Sequence, residues 1–217
     1  MKTTKCKICE SNNIGNWLEN HHHCKKCGYV WLDEAHCPTP ETEKTRYEMH
    51  KNSLFDQKYV TMLEDFLLKV GKIKNLRVLD FGCGHTPVLG ELMTQKGARV
   101  TLHDRYFFPQ KTYADKKYDL ITLTEVFEHL DKPLEVLRKL KKLLVDNGRL
   151  AIMTHLRTGT ESEFREWWYR RDMTHVGFLA LSGVETLAEK LDLVMEFCDE
   201  KKIVILKKVL KTKKKVL

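Results

Sequence analysis

The run TEVFEHL (124–130) sets two carboxylates and an imidazole among apolar neighbours. At spacings of i, i+3 and i+4, Glu125, Glu128 and His129 would share one face of a helix. Such a trio can hold a divalent cation, move a proton, or simply complement the positive end of a helix dipole. A second reactive group stands near the N-terminus, where Cys6, Cys9, Cys24 and Cys27 form two CxxC pairs. Each CxxC can turn tightly so that backbone amides point at sulfur, and Gly28 permits a positive φ after the last thiolate. In a chain with no export signal, paired CxxC spacing points to a metal rather than to disulfides or a redox pair. Four thiolates complete a tetrahedral shell, so a structural Zn²⁺ is expected, with no open coordination position. The adjacent His21, His22 and His23 are then surplus as ligands and read as an exposed polar loop.

The elements that must position these groups follow from pattern. At 217 residues the chain can hold one full-sized core and a small appendage. Residues 1–37 read as the zinc ribbon, and CPTPET (37–42) as a proline-stiffened connection. The segment 38–75 is the linker and a helical lid, with Tyr59, Met62, Leu63, Phe66, Leu67 and Val70 on one stripe. Within it, Tyr47, His50 and Asn52 are candidates to face a ligand. From 76 to 210 strands alternate with helices, the signature of a parallel sheet covered on both faces. Strands are expected at 77–81, 99–104, 118–125 and 148–155, helices at 87–96, 131–145 and 182–191, and a final antiparallel hairpin. Residues 211–217 form a basic tail.

Between the first strand and first helix of this α/β region lies VLDFGCGHTPVL (78–89). Gly82 and Gly84 allow a sharp turn and the approach of a ligand to bare backbone, with Cys83 between them. Asp80, at the strand end, can order that loop. The next strand ends in Asp104, 20 residues after Gly84, followed by Arg105. An acidic residue at that distance can accept both hydroxyls of a ribose. GCGHTP (82–87) carries no third glycine, which a dinucleotide loop would want for helix packing, and this counts against NAD.

From about Leu76 to Val209 the sequence resembles a class I S-adenosylmethionine (SAM)-dependent methyltransferase. LDFGCG resembles that family's first motif, TLHD the acidic end of its second strand, and YDLITLTEVFEHL its fourth-strand motif. LKKLLVDNGRLAIMT resembles the fifth-strand region, and the later WWYRRDMTHVGFLALSGVETLAEKL the C-terminal part of a subgroup of small bacterial enzymes. The resemblance implies a doubly wound Rossmann-like α/β fold in which Asp80, Gly82, Cys83, Gly84, Asp104, Arg105 and Glu125 hold SAM. It also implies a catalytic role for Glu128, His129 and His175. Glu-x-x-Glu-His resembles quinone-precursor O-methyltransferases and small-RNA 2′-O-methyltransferases. In the latter it supplies three metal ligands and a later histidine the fourth. By that resemblance Mg²⁺ would sit among Glu125, Glu128, His129 and His175, the alternatives being a metal-free His129 base and a purely structural helix start.

No Asn/Asp-Pro-Pro-aromatic motif ends the fourth-strand region, and no cysteine stands there for a covalent pyrimidine mechanism. Methylation of oxygen on a small molecule is therefore the leading expectation. Runners-up are RNA methylation, with ribbon and tail gripping phosphates, and a SAM-binding or ribbon scaffold without turnover. The net charge of +8 is concentrated at the end: 200–217 holds eight lysines and one glutamate, leaving about +1 before it. A near-neutral body disfavours a phosphate-tracking groove. One of Trp167 and Trp168 is expected to be buried and the other to line the acceptor cleft, with Arg170 or Arg171 pairing an acidic acceptor. The absence of a signal-peptide core and of any apolar run near ~20 residues gives the expectation of a cytoplasmic protein.

Overall fold

The computed structural model describes residues 5–49 and 52–210. His50 and the basic tail 211–217 lie outside them. Alternation of strand and helix produces the expected α/β order. The elements are β1 (Ile14–Trp17), β2 (His21–Cys24), β3 (Val30–Leu32), α1 (Pro40–Glu48), α2 (Gln57–Val70), β4 (Arg77–Phe81), α3 (Val88–Gln95) and β5 (Arg99–His103). They continue with β6 (Tyr118–Thr124), α4 (Pro133–Leu143), β7 (Leu144–Met153), α5 (Glu161–Glu166), β8 (Gly177–Phe178), α6 (Leu181–Lys190), β9 (Val194–Cys198) and β10 (Ile203–Lys207).

The main sheet runs β5-β4-β6-β7-β10-β9. β5, β4, β6 and β7 are parallel, while β10 is antiparallel to both β7 and β9, which is the expected terminal hairpin. Because successive strand residues face opposite sides, the apolar runs feed two layers. Val78, Leu120, Ala151 and Ile205 pack under α2 and α3. Their neighbours Leu79, Ile121, Leu150, Ile152, Val204 and Leu206 pack with α4 and α6 on the other face. α2 shows the local logic: Asp56 accepts from the N–H groups of Lys58 and Tyr59, and the helix stops at Gly71, φ +81°. Its buried face is Leu63, Phe66, Leu67 and Val70, each worth roughly 1.5–3 kcal/mol of transfer free energy.

Three local expectations are corrected. α4 ends at Leu143 and β7 begins at Leu144, not at 148. The VDNG segment does not separate them, because Asn147 takes φ +61° and the ladder to β6 bulges there, letting Leu144 pair and bury. TEVFEHL is not helical: β6 ends at Thr124, Glu125 turns at φ +52°, and Phe127–His129 is one 3₁₀ turn. The three histidines are strand β2 rather than a loop, with His21 buried edge-on against Phe164.

The N-terminal strands do not stand apart. β1-β2-β3 form an antiparallel sheet that β8 extends, Val30 pairing with Phe178 and Trp31 with Gly177. Gly177 and Phe178 therefore belong to the same sheet as the cysteine-bearing segment. Among the described residues no helix is long and apolar enough to cross a membrane.

Candidate active site

A cavity of about 450 Å³ opens at the carboxyl ends of β4, β5 and β6. There the crossover through α3 goes to one side of β4 while β6 lies on the other, the usual ligand crevice of a doubly wound sheet. The β4–α3 loop makes one wall. Gly82 (φ +83°) donates its N–H to the His103 carbonyl at 2.7 Å, and a Cβ there would lie 2.3 Å from Val126. Only glycine fits. Gly84 (φ +68°) donates to Asp104 Oδ2 at 3.0 Å, and the space where its Cβ would stand is open. Asp104 Oδ1 accepts from the N–H groups of Tyr106 and Phe107, at 2.8 and 3.2 Å. One carboxylate thus ties the two loops together and keeps lone pairs for a ligand, since it has about four acceptor positions.

Asp80 lies beneath this wall. Its Oδ1 accepts from the Thr122 hydroxyl at 2.9 Å, while Oδ2 is buried without a hydrogen-bond partner. Burial pushes it up to about 7, against the opposing Thr122 hydrogen bond. Cys83 lines the cavity, its thiol pushed up by burial and so held as SH. Arg105 also reaches the cavity but is half-engaged elsewhere, 3.3 Å from Glu43 and over the Tyr106 ring.

The opposite wall comes from the turn after β6 and from the segment before β8. His129 Nδ1 lies 2.8 Å from the Thr174 carbonyl, and His175 Nδ1 2.7 Å from that of Tyr169. A carbonyl only accepts, so each Nδ1 carries the hydrogen and each Nε2 is left as a lone pair. His129 Nε2 stands 3.9 Å from Glu128 Oε1. One ligand atom each from Glu128, His129 and His175 falls within a 4.8 Å group. Glu128 is fully buried and neither of its oxygens has a hydrogen-bond partner. Glu125 does not join this group: its Oε2 accepts from the Tyr169 hydroxyl at 3.2 Å. Burial and the charge of Glu128 push the Glu125 carboxyl up to about 8. Burial and His129 lower His175.

The lid residues Tyr47 and Asn52 line the cavity, and Tyr47 meets the His129 ring edge-on at 5.2 Å. α1 is held at two points. Glu43 accepts from Tyr106 Oη at 2.5 Å, and Arg46 pairs with Asp172 at 2.6 Å. Burial opposes the ionisation of Asp172, yet the Thr174 hydroxyl and N–H and the Arg46 guanidinium hold its carboxyl below the usual range. Sequence reasoning missed Glu43, Tyr59 and Tyr106. The i, i+4 pairing of Glu43 with Tyr47 on one face of α1 was the available signal.

The tryptophan expectation is corrected. Neither ring lines the cavity: Trp168 is 62% exposed and Trp167 packs on Phe178 and Tyr169. The 3₁₀ turn at 168–171 turns Tyr169 inward instead. Arg170 donates to the carbonyls of Phe164 and Arg165, and Arg171 to that of Glu166, so both close the end of α5.

The four N-terminal thiols converge in a buried cluster, Cys6 to Cys27 at 3.5 Å and Cys9 to Cys24 at 3.4 Å. A tetrahedral Zn–S₄ centre with ~2.3 Å bonds needs sulfurs about 3.8 Å apart, so the donor set fits such an ion. The Cys27 thiol and the N–H groups of Cys9 and Ile8 pull Cys6 down to about 5, against burial. This cluster leans on the turn after β6. Ser182 and Arg157 donate to the carbonyls of Cys27 and Gly28, Lys7 pairs with Asp131 at 2.6 Å, and the Val176 N–H donates to the Glu128 carbonyl.

Comparison with known proteins agrees with this fold. A family model described as a methyltransferase domain matches residues 54–196. The chain is 31% identical over 110 residues to a ubiquinone biosynthesis O-methyltransferase of Aeromonas salmonicida, covering 40% of this chain and 46% of the relative. It is 27% identical over 135 residues to one of Histophilus somni, covering 49% and 54%. The match therefore spans about half the length of these relatives. In structure the chain resembles magnesium protoporphyrin IX methyltransferase of Synechocystis PCC 6803, solved with bound SAH. That likeness has a TM-score of 0.54 at 15% identity, over 78% of this chain and 95% of that one. It also resembles mitomycin 7-O-methyltransferase, with a TM-score of 0.52 at 15% identity, over 69% and 54%.

Proposed function

The chain belongs to the methyltransferase-domain family of class I SAM-dependent enzymes, and from that premise we propose that it methylates a hydroxyl oxygen of a small molecule. One observation carries the reading: a single cavity has the Gly82–Gly84 loop and Asp104 on one wall and His129 and His175 on the other. Oxygen as the acceptor atom is supported by the named activity of the curated relatives.

When bound, SAM supplies an electrophilic methyl group on sulfur. Gly82, Cys83 and Gly84 would offer bare backbone to it, and Asp104 would accept from ribose hydroxyls. Asp80 fixes the loop floor through Thr122. On the acceptor side His129 is the base, because Thr174 holds its proton on Nδ1 and leaves Nε2 facing Glu128. The bound cofactor would supply its methyl to the acceptor oxygen and keep the electron pair of the C–S bond on sulfur. The hydroxyl proton passes to His129 Nε2. Glu128 then stabilises the imidazolium.

The unpartnered oxygens of Glu128 favour a second version, in which Glu128, His129 and His175 hold a divalent cation that lowers the pKa of a bound hydroxyl. Two imidazoles and one carboxylate suit a first-row transition ion better than Mg²⁺. Four thiolates at the other cluster would hold the structural Zn²⁺.

The test is labelled methyl transfer from SAM to a panel of hydroxylated small molecules, before and after chelation that leaves the thiolate-bound zinc in place by metal analysis. Product methylated on oxygen supports the reading. Transfer only to amines or to RNA contradicts it, and activity unchanged by chelation removes the metal version.

A further inference from the structure

A second cleft also reaches His129. It has a volume of about 290 Å³ and lies between the end of the N-terminal sheet, the start of α1 and the turn after β6. Its wall includes Glu34, Cys37, Glu43, Arg105, His129 and Asp131. Arg105 and His129 belong to both walls, so these two side chains form the partition between the cleft and the main cavity.

Size assigns the two spaces. Pockets for one drug-sized ligand run from about 300 to 1,000 Å³, so the main cavity holds a nucleoside cofactor and little more. The acceptor's reactive oxygen has to meet His129 at the end of that cavity, and the rest of the acceptor needs room. The cleft offers it on the far side of the same imidazole, at a junction of chain segments where ligands commonly bind. The partition can open on the Arg105 side, whose side chain is 63% exposed.

Charge then selects the occupant. Glu34, Glu43 and Asp131 face one guanidinium, Arg105, which Glu43 already engages at 3.3 Å, and Lys7 sits on Asp131. An anion entering would meet carboxylates with no uncommitted lysine or arginine on the lining wall among the described residues, and like charges brought together cost binding steeply. Building on the oxygen-methylation reading above, we propose that this cleft is the distal subsite of the acceptor. It selects a hydroxylated small molecule with a protonated amine at its far end over one ending in carboxylate or phosphate.

Saturation-transfer NMR on the full chain loaded with SAH compares tyramine with 4-hydroxyphenylacetate, which share a phenol and differ in end charge. Tyramine is expected to bind at least about tenfold more tightly. Cys37→Trp, which fills the cleft, should abolish that binding, and Glu34→Lys should shrink the preference, both with SAH affinity unchanged as the check on folding. Equal binding, preference for the acid, no binding of either, or tyramine binding that survives both variants overturns the proposal. Tyramine binding without methylation of any hydroxyl in the panel leaves the subsite standing and sinks the oxygen reading instead.

Discussion

The two donor clusters of this molecule flank one turn and differ in closure. The thiol cluster is buried on all four members and is complete as a tetrahedral shell. The Glu128–His129–His175 cluster has three donors, with its two imidazoles partly exposed on the cavity wall. A closed shell holds structure, whereas an open one has a position left for a reacting atom. On the proposed reading bracing and chemistry are separate, while the Val176 N–H bond to the Glu128 carbonyl and the Lys7–Asp131 pair join the two clusters.

Breaking the closed side should have the largest effect. Structural zinc in small modules is worth on the order of 10 kcal/mol, so Cys24→Ser should lower the melting temperature by more than about 10 °C or abolish soluble protein. Metal analysis should find one zinc per wild-type chain. A soluble variant with unchanged melting would remove the bracing role. Breaking the open side should instead leave the fold intact: His129→Ala is expected to reduce methyl transfer by about 10²–10⁴-fold with melting within a few degrees of wild type. Equal damage to both properties would erase the distinction.

The smallest effect concerns the floor of the cofactor wall. The native pKa of Asp80, about 7, lies above its ordinary 3.8. Folding therefore takes up a proton between those values, and stability falls as pH rises through that window. Asp80→Asn should raise the melting temperature by roughly 3–6 °C at pH 8 and leave it nearly unchanged at pH 3.5. Thermal melts of the two proteins across that range check the sign.

How much of this was legible depended on sequence distance. CxxC pairs act through local turns, so Cys6, Cys9, Cys24 and Cys27 could be assembled from spacing alone, as could the strand that leads to Gly82. Glu128 and His129 were visible as chemistry but were assigned the wrong backbone. A left-handed Glu125 is a tertiary outcome that the TEVFEHL pattern does not encode. Tyr169 stayed hidden behind two tryptophans, because a 3₁₀ turn changes which ring faces inward. The union of β3 with β8 joins residues about 147 apart, beyond any periodicity argument.

The most direct test of the divided cavity is calorimetric titration of SAH into wild type, Asp104→Asn and His129→Ala. With Asp104 on the cofactor wall and His129 on the acceptor wall, the first variant should lose at least about tenfold in affinity, equivalent to ~1.4 kcal/mol, and the second should bind as wild type does. Wild-type affinity in Asp104→Asn, or a matching loss in His129→Ala, would contradict the account.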